Sequence, residues 1–517
     1  MTPKYGRYEL TLQGPSAGNP FLEVQLEATF QQGNTRCRVP GFYDGEGAYR
    51  IRFMPQLEGE WTYVTKANVP ELDGVTGSFE VCPAAEGMHG PVYVAEKYHF
   101  AHADGTPFIP VGTTAYNWVN QAPEVVDATW QTLAENPFNK IRMGPFPKHY
   151  LYNLNEPQMY PFVGGIKPGM EATVETIPPF MAGTSDFSAY DFDYDTPNVK
   201  FWQYFDTVIE RMQTMGIECD FILFHPYDRW GFSHMTQAQN RAYVKYMVAR
   251  YAAYANVWWS LANEWDLFRH WSVDDWEAIA DVLKTWDYAD HLRSIHNCTQ
   301  FYDYGRGWIT HSSIQRIDYH SHVELTAKWR EQWGKPVVID EICYEGNIDS
   351  GFGNISGEEL TKRFWDVTVR GGYCTHGETY MRDDQILWWA KGGWLTGSSP
   401  ARIAFLRQIV EDAPGYLNPG ANEWDLPWAY AGAKYTSMME TPFGRMPSGG
   451  AEWMLCYFSF AQPIFRNFRL PQDHKYEIDV IDTWNMTVTS VEGVHSGHVR
   501  VDLPGRPYIA VRFREVK

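Results

Sequence analysis

Two glutamates stand directly behind apolar runs: Glu264 after WWSLAN (258–263) and Glu341 after PVVID (336–340). A charged side chain placed there is costly to bury without a purpose. Cleavage of a glycosidic bond asks for two carboxyls flanking that bond, one giving a proton and the other acting as nucleophile or base. One such Glu alone reads best as a solvated strand end or half of an ion pair. Two of them, with Asn263, Arg142 and several histidines at neighbouring strand ends, point to that chemistry. A metal reading competes for His225, His320, His322 and His376, but no HExxH or Cys/His ligand set accompanies them. A nucleophilic serine lacks the GxSxG turn it would need.

Eight apolar segments can position these residues: 107–114, 139–146, 217–226, 257–263, 293–297, 316–321, 336–341 and 372–378. Helical patterns lie between most of them, such as 201–216, 236–252 and 271–290, the last with Ser272 as a plausible N-cap. Strands alternating with helices predict βα units around a parallel sheet, and eight of them fit a (β/α)8 TIM barrel. In such a barrel the reacting groups gather where strands end. The ends offer Arg142 on the second strand, His225 on the third, Asn263 and Glu264 on the fourth, and His320 on the sixth. Glu341 ends the seventh, and His376 and Glu378 the eighth. Strands four and seven oppose each other, so Glu264 and Glu341 can share one cavity. Asn117 and Trp118 follow the first strand and are candidates for substrate contact. The stretch 145–200, rich in Pro, Gly, Tyr and Phe, reads as a loop insertion, and loops of that length are commonly functional.

The flanks have another texture. Residues 1–85 hold short alternating segments split by Gly, Pro and Asn turns, which predicts an Ig-like β-sandwich. AAEGMHGP (84–91) reads as a linker, so the barrel is expected over 86–412. After EDAPGYLNPG the chain returns to strands, and a small C-terminal β domain is expected over 413–517.

The 517 residues carry a formal net charge of -20. Such a surface repels phosphate backbones, anionic membranes and polyanionic substrates, so nucleic acid and membrane are not expected partners. No segment has the length and apolarity of a membrane span. The N-terminus shows no secretory signal, and seven scattered Cys lack any CxxC spacing. A cytoplasmic protein with free thiols is expected, unless a leader has been trimmed. Aromatic residues make up 16% of the chain; most serve a large core, and some can stack on sugar rings.

SLANEWD (260–266), VVIDEICYEGN (337–347) and IRMGPF (141–146) together resemble glycoside hydrolase clan A. That resemblance implies Glu264 as acid/base, Glu341 as nucleophile, Asn263 as a contact to the sugar 2-hydroxyl and Arg142 as the group orienting the nucleophile. It also favours His320 as a site residue, since the clan often has His or Tyr on the sixth strand. His225 stays open between sugar contact and structural hydrogen bonding. His376 and Glu378 stand where the clan more usually shows Trp, which leaves Trp388 or Trp389 as the aromatic platform. GEWTYV (59–64), THGETY (375–380) and FSFAQPIFRNF with IDTWNMTV (458–468, 481–488) extend the likeness along nearly the whole chain. They are similar to uncharacterised bacterial candidate glycoside hydrolases with an Ig-like domain, an apiosidase-like barrel and a C-terminal β domain.

The expectation is therefore a retaining glycosidase that forms a covalent glycosyl-enzyme on oligosaccharides or small glycosides, with no cofactor and no metal. A transglycosylase with the same site and a non-catalytic carbohydrate-binding protein are the alternatives. The flanking β domains would cap the barrel or build a homo-oligomer interface.

Overall fold

A computed structural model describes residues 1–171, 187–316, 323–384, 386–420, 429–434, 437–441, 444–448 and 452–517. The eight barrel strands are β1 (Val111–Thr114), β2 (Lys140–Met143), β3 (Glu218–Phe224), β4 (Val257–Ala262), β5 (Arg293–Ser294), β6 (Ser312–Gln315), β7 (Val337–Glu341) and β8 (Tyr373–His376). They lie in the order β5-β4-β3-β2-β1-β8-β7-β6 with every neighbouring pair parallel. A parallel bridge between His296 and Ser313 joins the two ends and closes the barrel. Closure leaves no open edge, and residues of β3, β4 and β7 are buried on both faces, which is why they carry apolar runs such as FILF, VWWSLA and VVI.

The sixth strand is not the expected 316–321 segment. It is Ser312–Gln315, four buried and largely polar residues. Hydrogen bonding makes this polar strand affordable: Ser313 donates to Asp340 Oδ2 at 2.6 Å, and Ser294 Oγ to the His311 carbonyl at 2.6 Å. Residues 317–322, with His320 and His322, lie outside the described residues.

Helices follow seven of the strands, over Pro123–Glu135, Val199–Thr214, Gln237–Tyr251, Val273–Trp286, Thr326–Trp333, Gly357–Thr368 and Ser399–Glu411. Ser272 caps the fourth through a reciprocal pair with Asp275, and Thr236 caps the third with Gln239. Beneath the strand ends the barrel interior is charged. Lys140 Nζ lies 2.6 Å from Asp220 and 2.7 Å from Asp340, and Thr375 donates to Asp340 at 2.7 Å. The opposite end is plugged by Val92, Phe100 and Phe108 packed on Trp258, Val338 and Tyr373.

The N-terminal strands form one seven-stranded unit. Thr35–Tyr43 bends it into two layers, pairing through 35–40 with Leu26–Gln32 and through 41–43 with Ala48–Phe53. Gly41 sits at that bend, where a Cβ would come 2.7 Å from Leu26. Alternate residues Leu26, Ala28 and Phe30 face inward against Val39, Ile51, Phe53 and Trp61. A buried ion cluster ties this unit to the barrel helices: Asp206 accepts from Arg52 Nη2 at 2.7 Å and from Arg250 Nε at 2.8 Å, and Arg250 reaches Asp44 at 2.8 Å.

The C-terminal strands build a six-stranded antiparallel sheet, with Trp453–Tyr457 and Ile509–Glu515 at its centre. The pair Phe465–Arg469 and His498–Asp502 packs on it through Phe468, Val499 and Val501. Ser459 donates to the barrel's Asp366 at 3.1 Å.

Candidate active site

Glu264 and Glu341 end opposed strands, and both are buried, at 6% and 5% exposure. Glu264 is held with φ 57° and ψ 58°, a left-handed conformation that costs a non-glycine residue roughly 1–2 kcal/mol. That turn lets strand β4 end while its last side chain points into the cavity.

Each carboxylate has its own tyrosine. Tyr227 donates to Glu264 Oε2, and Asn263 Nδ2 donates to the same oxygen from 2.9 Å. Tyr116 donates to Glu341 Oε1 and also lies 2.9 Å from Asn263 Oδ1. Arg142 Nη1 approaches Tyr116 Oη at 3.0 Å and Glu341 Oε1 at 3.5 Å, while His296 Nε2 stands 3.6 Å from that oxygen. Turning the Gln315 amide to give both its ends complementary partners puts its nitrogen 3.0 Å from Glu341 Oε2 and 3.3 Å from Glu264 Oε1.

The two carboxyls differ in proton affinity. Burial, and then the Glu341 charge, push the Glu264 carboxyl up to about 7. Burial would raise Glu341 too, but the His296 contact and the Arg142 charge overcome it and hold this group at about 2. Near neutrality one carboxyl can keep its proton while the other stays ionised. Two titratable groups driven apart in this way mark an acid and a nucleophile or base.

The other expected site residues divide. His225 donates from Nε2 to the Phe146 carbonyl, 3.1 Å away, and burial lowers its ring to about 3. Its Nδ1 has no hydrogen-bond partner among the described residues. Asn117 is spent on the loop, where its Oδ1 accepts from the Lys148 backbone and from Asn120 Nδ2, both at 3.1 Å.

Three expectations need correction. Trp118 is fully buried, donates to Met143 Sδ at 3.1 Å and packs edge-on against Trp130, so it belongs to the core behind the strands. His376 points to that same outer layer, stacked on Phe138 at 4.9 Å with Nδ1 3.1 Å from Thr113 Oγ1. Glu378 lies 2.7 Å from the Thr396 nitrogen and 2.8 Å from the Gly397 nitrogen, ahead of the helix Ser399–Glu411. Each side chain satisfies the packing or hydrogen bonding of a strand or helix end, which leaves none of them for substrate.

Of the two platform candidates, Trp388 is buried and bonded to Thr113, whereas Trp389 packs with Tyr116, Tyr150 and Tyr344 beside the carboxylates. Among the described residues no group of three or more His, Cys, Asp or Glu side chains gathers as for a metal ion.

Comparison with known families and structures agrees with this geometry. Residues 95–448 match the apiosidase-like catalytic domain. The chain belongs to the apiosidase-like catalytic family. Two further domains of unknown function match residues 1–68 and 440–514. The crystal structure of a candidate glycoside hydrolase from Bacteroides vulgatus ATCC 8482 is 34% identical, with TM-score 0.87, over 100% of this chain and 99% of that one. A glycoside hydrolase family 5 structure from the same organism gives TM-score 0.56 at 15% identity, over 82% of this chain and 94% of its own, which is a likeness of fold. No curated protein matches. As an apiosidase-like barrel the protein is a glycosidase.

Several residues of this apiosidase-like site escaped the sequence reading. Tyr116 and Tyr227 were legible only as neighbours of Asn117 and His225, and aromatic residues are ordinarily core. His296 stands in RSIHN two residues past β5, a signal that strand-end logic could have used. Gln315 was hidden by the misplaced sixth strand. Lys148 gave no sequence signal.

Proposed function

We propose that this glycosidase works with retention of configuration, by double displacement on short oligosaccharides or small glycosides. The carrying observation is the single Gln315 amide nitrogen that spans both carboxylates, at 3.0 and 3.3 Å. Two oxygens sharing one nitrogen at those distances lie closer than the roughly 6.5 Å at which inverting pairs begin. That bound favours the shorter retaining spacing, at which the carboxylate itself attacks.

In the first step Glu341, ionised and held by Tyr116 and Arg142, bonds to the anomeric carbon. Glu264 gives its proton to the departing oxygen as the glycosidic bond breaks. Once Glu341 has become an ester its negative charge is gone, and one cause of the raised Glu264 carboxyl goes with it. Glu264 then takes a proton from water, whose oxygen attacks the same carbon and frees Glu341. Proton NMR of the earliest product tests this reading: the substrate's anomeric configuration is expected, and an inverted first product would sink the covalent step.

A further inference from the structure

Lys148 is a buried cation whose charge favours the ionised forms of Glu264 and Glu341 but whose N–H donors this mechanism leaves unused. Its backbone is pinned by Asn117 Oδ1 at 3.1 Å and Asn153 Nδ2 at 2.6 Å, and the residue is 3% exposed. The ammonium lies over four rings, with Nζ 3.6 Å from the Tyr116 centroid, 4.1 Å from Tyr227, 4.9 Å from Tyr150 and 5.4 Å from Trp389. The hydroxyls of the first two rings are those that hold Glu341 and Glu264. The charge therefore stands beside the seat of the reacting sugar.

Among the described residues Nζ has no hydrogen-bonded or ion-paired partner. Ring faces attract a cation but supply no lone-pair acceptor in line with its N–H bonds. Two further buried groups in the same aromatic cluster, Tyr150 Oη and Trp389 Nε1, also lack partners among the described residues. Trp offers only a donor, Lys only donors, and Tyr a donor as well as an acceptor. Buried donors with no acceptor are expensive, and three around one space call for a ligand that brings acceptors.

Charge decides which ligand. Glycosyl transfer passes through a state with positive charge on the sugar ring, and a fixed ammonium beside it opposes that charge in a site shielded from water. With a neutral sugar the three donors stay without acceptors, although the ionised member of the carboxyl pair offsets part of the ammonium's charge. A carboxylate on the same ring cancels the ammonium and takes up the free donors. We propose that the sugar at the reacting position carries a carboxylate, bound by Lys148 together with Tyr150 and Trp389. The inference rests on the glycosidase site described above and names its substrate class. Burial lowers the Lys148 ammonium to about 8, so it remains charged at neutral pH. The chain's net charge of -20 repels polymeric uronates, which narrows the class to short acidic glycosides.

The test compares matched 4-nitrophenyl hexuronides and hexosides of the gluco and galacto series, in both anomers, with wild type and Lys148→Met. In parallel, thermal shifts are measured with glucuronate, galacturonate, glucose and galactose. Wild type should prefer the uronide of the reactive pair and gain Tm with a uronate but not with the matching hexose. In Lys148→Met the uronide-to-hexoside ratio of kcat/KM should fall about 10- to 100-fold, and the uronate shift should vanish. A wild-type preference for the hexoside, no uronate shift, or an equal loss on both members of a pair would overturn the proposal. The wild-type arms decide even if the variant fails to fold. Lys148-dependent uronate binding without turnover of any glycoside would leave the acidic-sugar pocket standing and remove the mechanism. Turnover of hexosides alone, abolished by Glu341→Ala, would do the reverse.

Discussion

The Asn263 amide nitrogen lies 2.9 Å from Glu264 Oε2, and the oxygen of the same amide lies 2.9 Å from the Tyr116 hydroxyl oxygen. Tyr116 gives its one proton to Glu341, so Asn263 and Tyr116 form a relay of close polar contacts between the proton donor and the attacking group. Tyr116→Phe removes the shared hydroxyl and little else. A hydrogen bond to a buried charge is worth about 1.5–3 kcal/mol, so kcat/KM should fall about 10- to 100-fold. Steady-state kinetics checks this, and an unchanged kcat/KM would show that the relay is idle.

The pH profile follows from the two carboxyls. Activity needs Glu264 protonated and Glu341 ionised, so kcat/KM should decline above about pH 7 and hold down towards about pH 2. The Tyr227 hydrogen bond favours the ionised form of Glu264. Tyr227→Phe should therefore move the alkaline limb to higher pH. His296 favours ionised Glu341, and His296→Ala should raise the acid limb. Shifts of the opposite sign would contradict the assignment of acid and nucleophile.

Glu341→Ala should reduce turnover more than 100-fold on every substrate. Azide fits the vacated space and should restore part of the activity, giving a glycosyl azide of inverted configuration. Retention of a tenth of the wild-type rate would exclude Glu341 as nucleophile.

Glu378 serves the helix Ser399–Glu411 rather than the substrate. Glu378→Ala strands two backbone donors, which costs about 1–3 kcal/mol. Thermal unfolding should show that loss while kcat/KM on activated substrates holds within about twofold. A selective fall in kcat/KM with unchanged Tm would return Glu378 to the site.

Asp206 is pressed between Arg52 of the N-terminal unit and Arg250 of the barrel, and these charges hold its carboxyl low against burial. Removing it in Asp206→Ala leaves two buried cations facing each other, a loss of about 3–5 kcal/mol. Denaturant unfolding measures it, and a change below about 1 kcal/mol would mean that the cluster relaxes or hydrates.

The barrel was legible because its central strands are buried on both faces and must be largely apolar, as VWWSLA (257–262) and VVI (337–339) are. The sixth strand failed that logic. Ser312–Gln315 is buried yet polar, stabilised by partners on other strands that no local pattern reveals. The two glutamates stood out because charge after an apolar run is rare. Tyr116, Tyr227 and Lys148 did not, since their roles arise only when three separate loops meet over one cavity. Trp118, His376 and Glu378 were overread for the complementary reason: position near a strand end does not say on which side of the sheet a side chain falls.

The left-handed backbone at Glu264 has an implication for how this sequence can change. Glycine or asparagine would relax that turn and add stability, so any redesign or drift that rewards robustness alone is drawn towards replacing the proton donor. Where the glutamate persists against that pull, its presence records demand for catalysis rather than for folding, and thermostabilised variants of this barrel should be screened first for silent loss at position 264.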